Sequence, residues 1–402
     1  MSVVRTALVI GGGVAGPVTA TALHLAGIEA RVYEAYPGPA FGIGSNLALA
    51  PNGVAALDVI DAGDALRAVA TPISHGLMVL GDRRMPMPQS AEFGFEPLRA
   101  VDRSDLHQLL HDRAVAEGVT FEYNKRLVRV DEHPEGVTAH FADGSTATAD
   151  VLIGADGIRS TVRTLIDPKA PGAGYTGMVG FAVYLDSSGI ELEPETVYFT
   201  YGKNAYYLYW LHGNGKISWG INLPHEYMTL TEARSVPAEH WLRRLRETYG
   251  EDYPAGEFVR RTTAENLQTQ GALHIMPPVP NWYRGRMVLV GDAVHAPSNS
   301  SGQGASLAIE SSIQLARCLR DFADPESAFA AYVELRRNRV EGIAARAAKI
   351  NHSKTPGMVA KKIMPMFMPL AMKMMNIEKT MRTEQGYRID WDVPVQRELA
   401  AA

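Results

Sequence analysis

Residues 5–34 constrain the chain most. RTALVI is a short apolar run suited to a buried strand, and it leads into Gly11-Gly12-Gly13-Val14-Ala15-Gly16. A helical stretch then runs to Ala26, Gly27 stops it, and the second strand, EARVYE, ends on Glu34. The glycines at 11, 13 and 16 have separate tasks in such a unit. One makes a tight turn, one lets the backbone approach a pyrophosphate, and one lets helix and strand pack closely. An acid closing the second strand accepts hydrogen bonds from an adenosine ribose 2′-hydroxyl. Strand, turn, helix and acid together predict a dinucleotide site. FAD or NAD suits it better than NADP, whose 2′-phosphate would meet the Glu34 carboxylate.

A second constraint is RGRMVLVGDAVHAPSNSSGQGASLAIESS, from Arg286 to Ser312. Met287 to Val290 suits a buried parallel strand, and a helical pattern begins at Ala305. The loop between them carries one carboxylate, Asp292, after Gly291, and ends in Gly302, Gln303 and Gly304. Unpaired backbone N–H groups and the positive end of a helix dipole face whatever binds there, which favours an electron-rich, partly anionic ligand. A third strand, Asp150 to Gly154, ends in Ala155-Asp156-Gly157-Ile158-Arg159-Ser160, followed by Val162 and Arg163.

At 402 residues the chain has room for two or three domains. Its net charge of -5 gives no basic footprint, and clustered Lys/Arg with stacking aromatics is absent, which excludes a nucleic-acid binder. The single Cys318 excludes a disulfide framework and a multi-cysteine metal site; its neighbours have the spacing of a buried helix face. No metal constellation and no nucleophile paired with His and acid stands out. The N-terminal apolar run is too short for a secretory segment, and a span of about 20 apolar residues is missing, so a soluble cytoplasmic protein is expected.

Between the motifs, a helix is expected from Gly53 to Ala70 and a hairpin in SHGLMVLGDRRMPMPQS. LRAVDRSDLHQLL then turns from strand to helix, with Arg103 and Leu106 at the entrance. Residues 119–149 read as a three-stranded antiparallel excursion with turns at Pro134-Glu135-Gly136 and Asp143-Gly144, which returns to the buried strand Asp150 to Gly154. From about Gly174 to Asn266 the strands become rich in Tyr and Trp, which predicts a second sheet with an aromatic face. In YYLYWLH, alternation puts Tyr206, Leu208, Trp210 and His212 on one face and Tyr207, Tyr209 and Leu211 on the other. One face is expected to pack on a helix near Ala238 to Tyr249, and the other to line a cavity for a flat ligand. Glu326 to Asn351 is an Arg-rich helix whose charge reads as a solvated face. Residues 357–381 hold eight of the 16 methionines. They read as core filler, a flexible cover, or, through Lys361, Lys362 and Lys373, a membrane-surface helix.

Taken together, Gly11 to Gly16, Ala155 to Arg163 and Gly291 to Gly304 resemble, in order and spacing, the single-component class A flavoprotein aromatic hydroxylases with the para-hydroxybenzoate hydroxylase fold. The resemblance covers nearly the whole chain. It implies an α/β protein: a Rossmann-like FAD-binding domain, a second, mostly antiparallel substrate domain, and C-terminal helices. The expected division is 1–72, 98–172 and 274–350 for FAD, 73–97 and 173–273 for substrate, and 351–402 as a C-terminal segment.

By the same resemblance, Gly11, Gly13, Val14, Ala15, Gly16, Glu34 and Leu127 serve the ADP part, and Arg103 approaches the pyrophosphate and flavin. Asp156, Gly157 and Arg163 match the family's DG motif; Gly291 and Asp292 match its GD motif, the acid holding a ribityl hydroxyl. Gly302, Gln303, Gly304 and Ala305 face the flavin ring, and His295 reads as a neutral residue that places the loop, with a catalytic base as the alternative. Tyr206, Leu208, Trp210, His212 and Asn299 are the expected substrate contacts; no catalytic side chain is singled out. The implied reaction uses NADPH or NADH as a transient reductant, without a second GxGxxG, and O2. It hydroxylates or epoxidises an aromatic or polycyclic molecule through a flavin C4a-hydroperoxide. A reductase or dehydrogenase on the same fold, and a non-redox flavoprotein scaffold or cyclase, are the alternatives. A monomer or homodimer without stable membrane association is expected. Two positions depart from the family pattern: Asn299 replaces a proline, and Glu310-Ser311 replaces an acidic pair.

Overall fold

In the computed structural model, residues 4–39, 46–353 and 377–401 are described. Strand Thr6–Ile10 lies at the centre of a six-stranded sheet, with Val151–Gly154 and Glu29–Tyr33 parallel on either side. Met287–Leu289 extends the sheet beyond Val151–Gly154, and Thr120–Glu122 beyond Glu29–Tyr33. Val151–Gly154 and Met287–Leu289 are buried throughout, as a parallel sheet covered on both faces requires. Helices Ala15–Leu25 and Gly304–Asp321 pack together, and the Ser312 hydroxyl donates to the Ala15 carbonyl at 3.2 Å. The register places Ile10 beside Gly154 and Gly154 beside Leu289. All three motif loops therefore leave the sheet side by side at its carboxyl edge, where α/β proteins bind ligands.

The expected three-stranded excursion is Leu127–His133, Gly136–Phe141 and Thr146–Ala149. The second sheet has seven strands. Its order is Leu267–Ile275, Gly174–Asp186, Lys216–Pro224, Tyr206–Leu211, Thr196–Tyr201, His75–Leu80 and Arg83–Pro86. Only the pairing of Thr196–Tyr201 with His75–Leu80 is parallel. One face, carrying Phe181, Tyr207, Tyr209 and Trp219, buries itself against Trp241, Leu245 and Tyr249 of helix Ala238–Tyr249 and Phe258 of helix Ala255–Arg261. On the other face, Val197 and Trp210 pack with Ile73 and Ala100.

Several expectations are corrected. The helix expected over 53–70 is two helices, Pro51–Asp58 and Gly63–Val69, because the chain turns at Asp61 with φ +55°. Asn46–Leu49, Leu98–Asp102 and Thr71–Ile73 form a small sheet. The Arg-rich helix, Pro325–Ser353, is not charged only toward solvent: Arg336 is 0% exposed, and with Arg339 it reaches Glu310 on the neighbouring helix. A buried carboxylate captures cations that would otherwise face water. Of the methionine-rich stretch, 357–376 lies outside the described residues, including Lys361, Lys362 and Lys373; helix Ile377–Glu384 follows it.

Candidate active site

Gly11 has φ +104°, and a Cβ there would lie 2.5 Å from the Ala155 carbonyl oxygen, so the first turn touches the loop that contains Asp156. A Cβ on Gly16 would collide with the Gly11 carbonyl oxygen, whereas one on Gly13 would meet nothing within 4 Å. Gly13 thus borders open space. Val14 and Ala15 begin a helix with no side-chain cap and no acid in its first turn, which leaves its positive end available. Glu34 is anchored by its own loop: Oε2 accepts from the Gly12 N–H at 2.7 Å and Oε1 from the Tyr36 N–H at 3.0 Å. The carboxylate keeps acceptor capacity for further donors. Leu127 heads its strand as a buried core residue.

Asp156 accepts from the Ser160 hydroxyl, from the Thr161 N–H at 2.7 Å and from the Val162 N–H at 3.1 Å. It shapes the loop around Gly157 (φ +74°), although burial pushes its carboxyl upward against those donors. Arg163 is buried and donates to the Ala293 carbonyl at 2.8 Å and the Ile158 carbonyl at 3.0 Å. It bolts the loop after Gly154 to the loop holding Asp292. Arg163→Ala is expected to leave those carbonyls unsatisfied, at about 1–3 kcal/mol each, and to loosen the two loops together. A lowered thermal midpoint together with weakened nucleotide binding is the check.

Gly291 (φ +63°) lets the next turn pass Ala15 and Ala308, whose Cβ atoms a side chain would meet at 3.0 and 3.3 Å. Asp292 follows, half-buried and without a hydrogen bond to a described residue. Desolvation pushes its carboxyl above the usual range, and the exposed Arg103 guanidinium opposes the shift. The two groups of opposite sign are thus close enough to interact electrostatically. His107, one turn along helix Arg103–Ala116, was not expected in the site. It is buried, its Nε2 lies 2.6 Å from the Gly12 carbonyl, and burial lowers its pKa, so a neutral ring donates there and braces the glycine turn.

Gly302 has φ +60°, which favours glycine, and helix Gly304–Asp321 starts with no side-chain cap, Ala305 in its first turn. Gln303 departs from expectation: it is buried, and its Oε1 accepts from Asn52 Nδ2 at 2.9 Å instead of facing the cleft. The same Nδ2 donates to Glu310 at 2.6 Å. His295 is neutral, its pKa lowered to about 3 by burial beside Arg336, and its Nε2 lies 2.9 Å from the Ser311 hydroxyl. That hydroxyl also accepts from Arg336 Nε at 3.2 Å, so Ser311 links the loop's histidine to the buried arginine.

The four expected sheet contacts separate. Tyr206 is half-buried, and Leu208, also half-buried, packs against the cluster of Ile73, Ala100, Val197 and Trp210. Trp210 is packed with Ile73 and Ala100, and His212 lies 3.0 Å from Ser218 and 3.5 Å from Thr71. The last two belong to the junction between the sheets. Nearby, the Tyr184 hydroxyl donates to Asp102, the neighbour of Arg103. Asn299 is exposed, and its carbonyl accepts from the Gly302 N–H at 3.2 Å.

A family model described as FAD binding domain matches residues 5–347. The 6-hydroxynicotinate 3-monooxygenase of Pseudomonas fluorescens is 31% identical over 376 residues, covering 86% of this chain and 90% of that one. The chain belongs to the class A FAD-dependent aromatic hydroxylases. An FAD-dependent urate hydroxylase of Klebsiella pneumoniae is 29% identical to this hydroxylase, covering 87% of this chain and 91% of that one. A Klebsiella pneumoniae structure, HpxO complexed with FAD and uric acid, superposes with a TM-score of 0.79 at 23% identity, covering 89% of this chain and 90% of that one. The hydroxylase is therefore an FAD-dependent monooxygenase of aromatic compounds. No described helix is long and apolar enough to cross a membrane, and the described residues contain no group of three or more His, Cys, Asp or Glu that could hold a metal ion.

Proposed function

We propose that the cleft holds FAD along the three loops and that NADPH or NADH reduces it for oxygen insertion into an aromatic substrate on the second sheet. The single observation that supports this is the convergence of three loops distant in sequence. Gly11 abuts Ala155, Gly291 abuts Ala15, and Arg163 ties Ile158 to Ala293. The uncapped start of helix Ala15–Leu25 receives the pyrophosphate, and Glu34 the adenosine ribose. Asp292, without a hydrogen bond to any described residue, accepts from a ribityl hydroxyl, with the Arg103 charge nearby. The amides from Gly302 to Ala305 and the dipole of helix Gly304–Asp321 favour electron density at the N1–C2=O edge of the ring. FAD, when bound, supplies hydride acceptance and oxygen activation. The chain orients the substrate and keeps water out. The relatives named for hydroxynicotinate and urate support a small aromatic substrate.

Isotope-labelled O2 tests the reading. FAD-loaded protein turning over with NAD(P)H is expected to place one labelled atom in the product; full turnover without label would establish a reductase or dehydrogenase. A second expectation concerns the loop. Asn299→Pro removes an N–H and fixes φ at the residue whose carbonyl holds Gly302. It is expected to change the ratio of product formed to NAD(P)H consumed more than FAD affinity; lost FAD with unchanged coupling would contradict this.

A further inference from the structure

We propose that the nicotinamide nucleotide which reduces this hydroxylase docks in a cavity at the edge of the seven-stranded sheet, with Arg234 holding its phosphates. The proposal rests on the monooxygenase reading and assigns a site to the reductant of that reading. There FAD occupies the glycine turn from Gly11 to Gly16, so a second dinucleotide needs an anion-binding surface of its own near the flavin.

The cavity measures about 650 Å³, a size that accommodates small-molecule ligands. One wall is the edge strand Leu267–Ile275, and another is helix Leu230–Ser235 with the residues that follow it. These walls are fixed against each other. A Cβ on Gly271 (φ +77°) would stand 3.2 Å from Leu230 Cα, so helix and strand meet through their backbones. Trp241, 1% exposed, lines the buried part, and its Nε1 donates to the Ala233 carbonyl at 3.2 Å. The strand is irregular at the same place. Gly180 pairs with Gly271 and Phe181 with Thr269, so Gln270 is an extra residue in the ladder, and it lines the cavity together with Gln268. Bulges of this kind re-aim a side chain and are frequent beside binding sites.

Its charge is one-sided. Arg103 and Arg234 line the cavity, both exposed, and none of the lining residues is an acid. Arg234 makes no ion pair or hydrogen bond with a described residue. The acids close to the cavity in sequence are engaged elsewhere. Glu232 accepts from the Thr229 N–H at 2.7 Å and the Thr229 hydroxyl at 2.9 Å, and Glu265 is held by the Thr263 side chain. Arg103 has a different role, because its charge opposes the upward push of burial on the Asp292 carboxyl. It therefore stands between the acid assigned to the ribityl chain and the cavity, so that a ligand of the cavity lies beside the cofactor. Arg234 is left to meet that ligand's own charge. A guanidinium matches phosphate oxygens two at a time, amides suit ribose hydroxyls and a carboxamide, and the indole of Trp241 offers apolar surface to a flat ring. A nicotinamide dinucleotide combines all of these groups.

Calorimetric titration of FAD-loaded protein with NAD+ and NADP+ measures binding without turnover, and anaerobic mixing with NADH or NADPH measures flavin reduction. Arg234→Gln is expected to weaken nucleotide binding and to raise the half-saturating reductant concentration at least about tenfold. The limiting rate of reduction and the affinity for FAD should hold, which is the pattern of a lost binding contact. Arg234→Lys should recover part of the affinity. Because Arg234 is exposed, its replacement costs little stability. Ala264→Trp, at an exposed lining position, is expected to weaken the nucleotide in the same way by filling the cavity. Inorganic pyrophosphate should compete with the nucleotide in the unaltered protein and lose that effect in Arg234→Gln. Unchanged nucleotide affinity in either Arg234→Gln or Ala264→Trp overturns the proposal. So does a loss confined to benzoate, titrated in parallel through the flavin absorbance, which would make the cavity an anchor for aromatic carboxylates. Either result leaves the monooxygenase reading standing. Failure of that reading would appear in the unaltered protein, as a bound flavin that neither nucleotide reduces, and it would remove this proposal with it.

Discussion

Glu310→Ala is expected to destabilise the hydroxylase by about 3–5 kcal/mol, read as a lower urea midpoint, and to weaken FAD binding as well. Glu310 is fully buried. Its Oε2 lies 2.6 Å from Arg336 Nη2 and 2.9 Å from Arg339 Nε, and its Oε1 accepts from Arg339 Nη2 at 2.8 Å and Asn52 Nδ2 at 2.6 Å. Removing the carboxylate strands Arg336, whose side chain is 0% exposed, with an uncompensated charge. Arg339 retains the Thr383 and Glu384 carbonyls and the Tyr387 ring, so Arg336 bears most of the loss. The effect on FAD follows from Asn52, which joins Glu310 to Gln303 in the loop at the head of helix Gly304–Asp321. Replacing Glu310 and Arg336 together by methionine is expected to recover much of the stability, because apolar groups of similar volume need no compensating charge. If the double variant is no more stable than the single, the stranded-charge explanation is wrong. Burial pushes the Glu310 carboxyl up, but Arg336 and Arg339 more than offset it, and the net shift is downward. Its contribution is thus present above the ordinary carboxylate pKa of about 4.3 and is lost as pH falls through the lower folded value. Glu310→Ala should accordingly differ from the unaltered protein most at neutral pH and least in acid.

This network also marks what a single sequence conceals. Gly11, Gly16, Glu34 and Asp292 were legible because local backbone geometry demands those residue types: a positive φ, a close approach, an acid at the end of a strand. The two faces of YYLYWLH were legible for the same reason, since alternation is local. The pairing of Asn52 with Gln303 and Glu310 was not, because it joins positions some 250 residues apart and leaves no periodic trace. Arg336 looked like one more solvated cation on an Arg-rich helix; only the neighbouring helix shows that its face is dry. Trp210 and His212 share a strand face with Tyr206 and Leu208, but Ile73, Ala100 and Thr71 come from a segment that strand patterning could not dock against them. His107 was hidden for a related reason: a histidine one turn after Arg103 gains meaning only when its ring is found 2.6 Å from the Gly12 carbonyl. The helix Gly304–Asp321 was foreseen from Ala305 onward, yet the inward turn of Gln303 depended on that same distant Asn52.

Gly16→Ala and Gly13→Ala are expected to fail in different ways, and the contrast tests whether the glycine turn carries FAD. A Cβ on Gly16 would enter the Gly11 carbonyl oxygen. Both are backbone, in a turn fixed by Gly11 against Ala155 and braced by His107, so neither can swing aside as a flexible side chain does. The start of helix Ala15–Leu25 must move, and with it the contacts of Ala15 to Gly291 and Ser312. Gly16→Ala should therefore lower the thermal midpoint of the FAD-free protein and abolish reconstitution. Gly13 has nothing within 4 Å of an added Cβ and no positive φ, so the FAD-free protein has no steric reason to object. Gly13→Ala should leave FAD-free stability within about 0.5 kcal/mol of the unaltered protein. With FAD placed as proposed, its methyl group would nevertheless occupy the space through which the pyrophosphate approaches the helix start, and FAD affinity should fall by at least about tenfold, or 1.4 kcal/mol. Equilibrium titration of FAD fluorescence, paired with thermal unfolding of the FAD-free variants, separates the two outcomes. If Gly13→Ala binds FAD normally, the pyrophosphate does not pass over that turn, and the placement of the cofactor along the three loops must be redrawn.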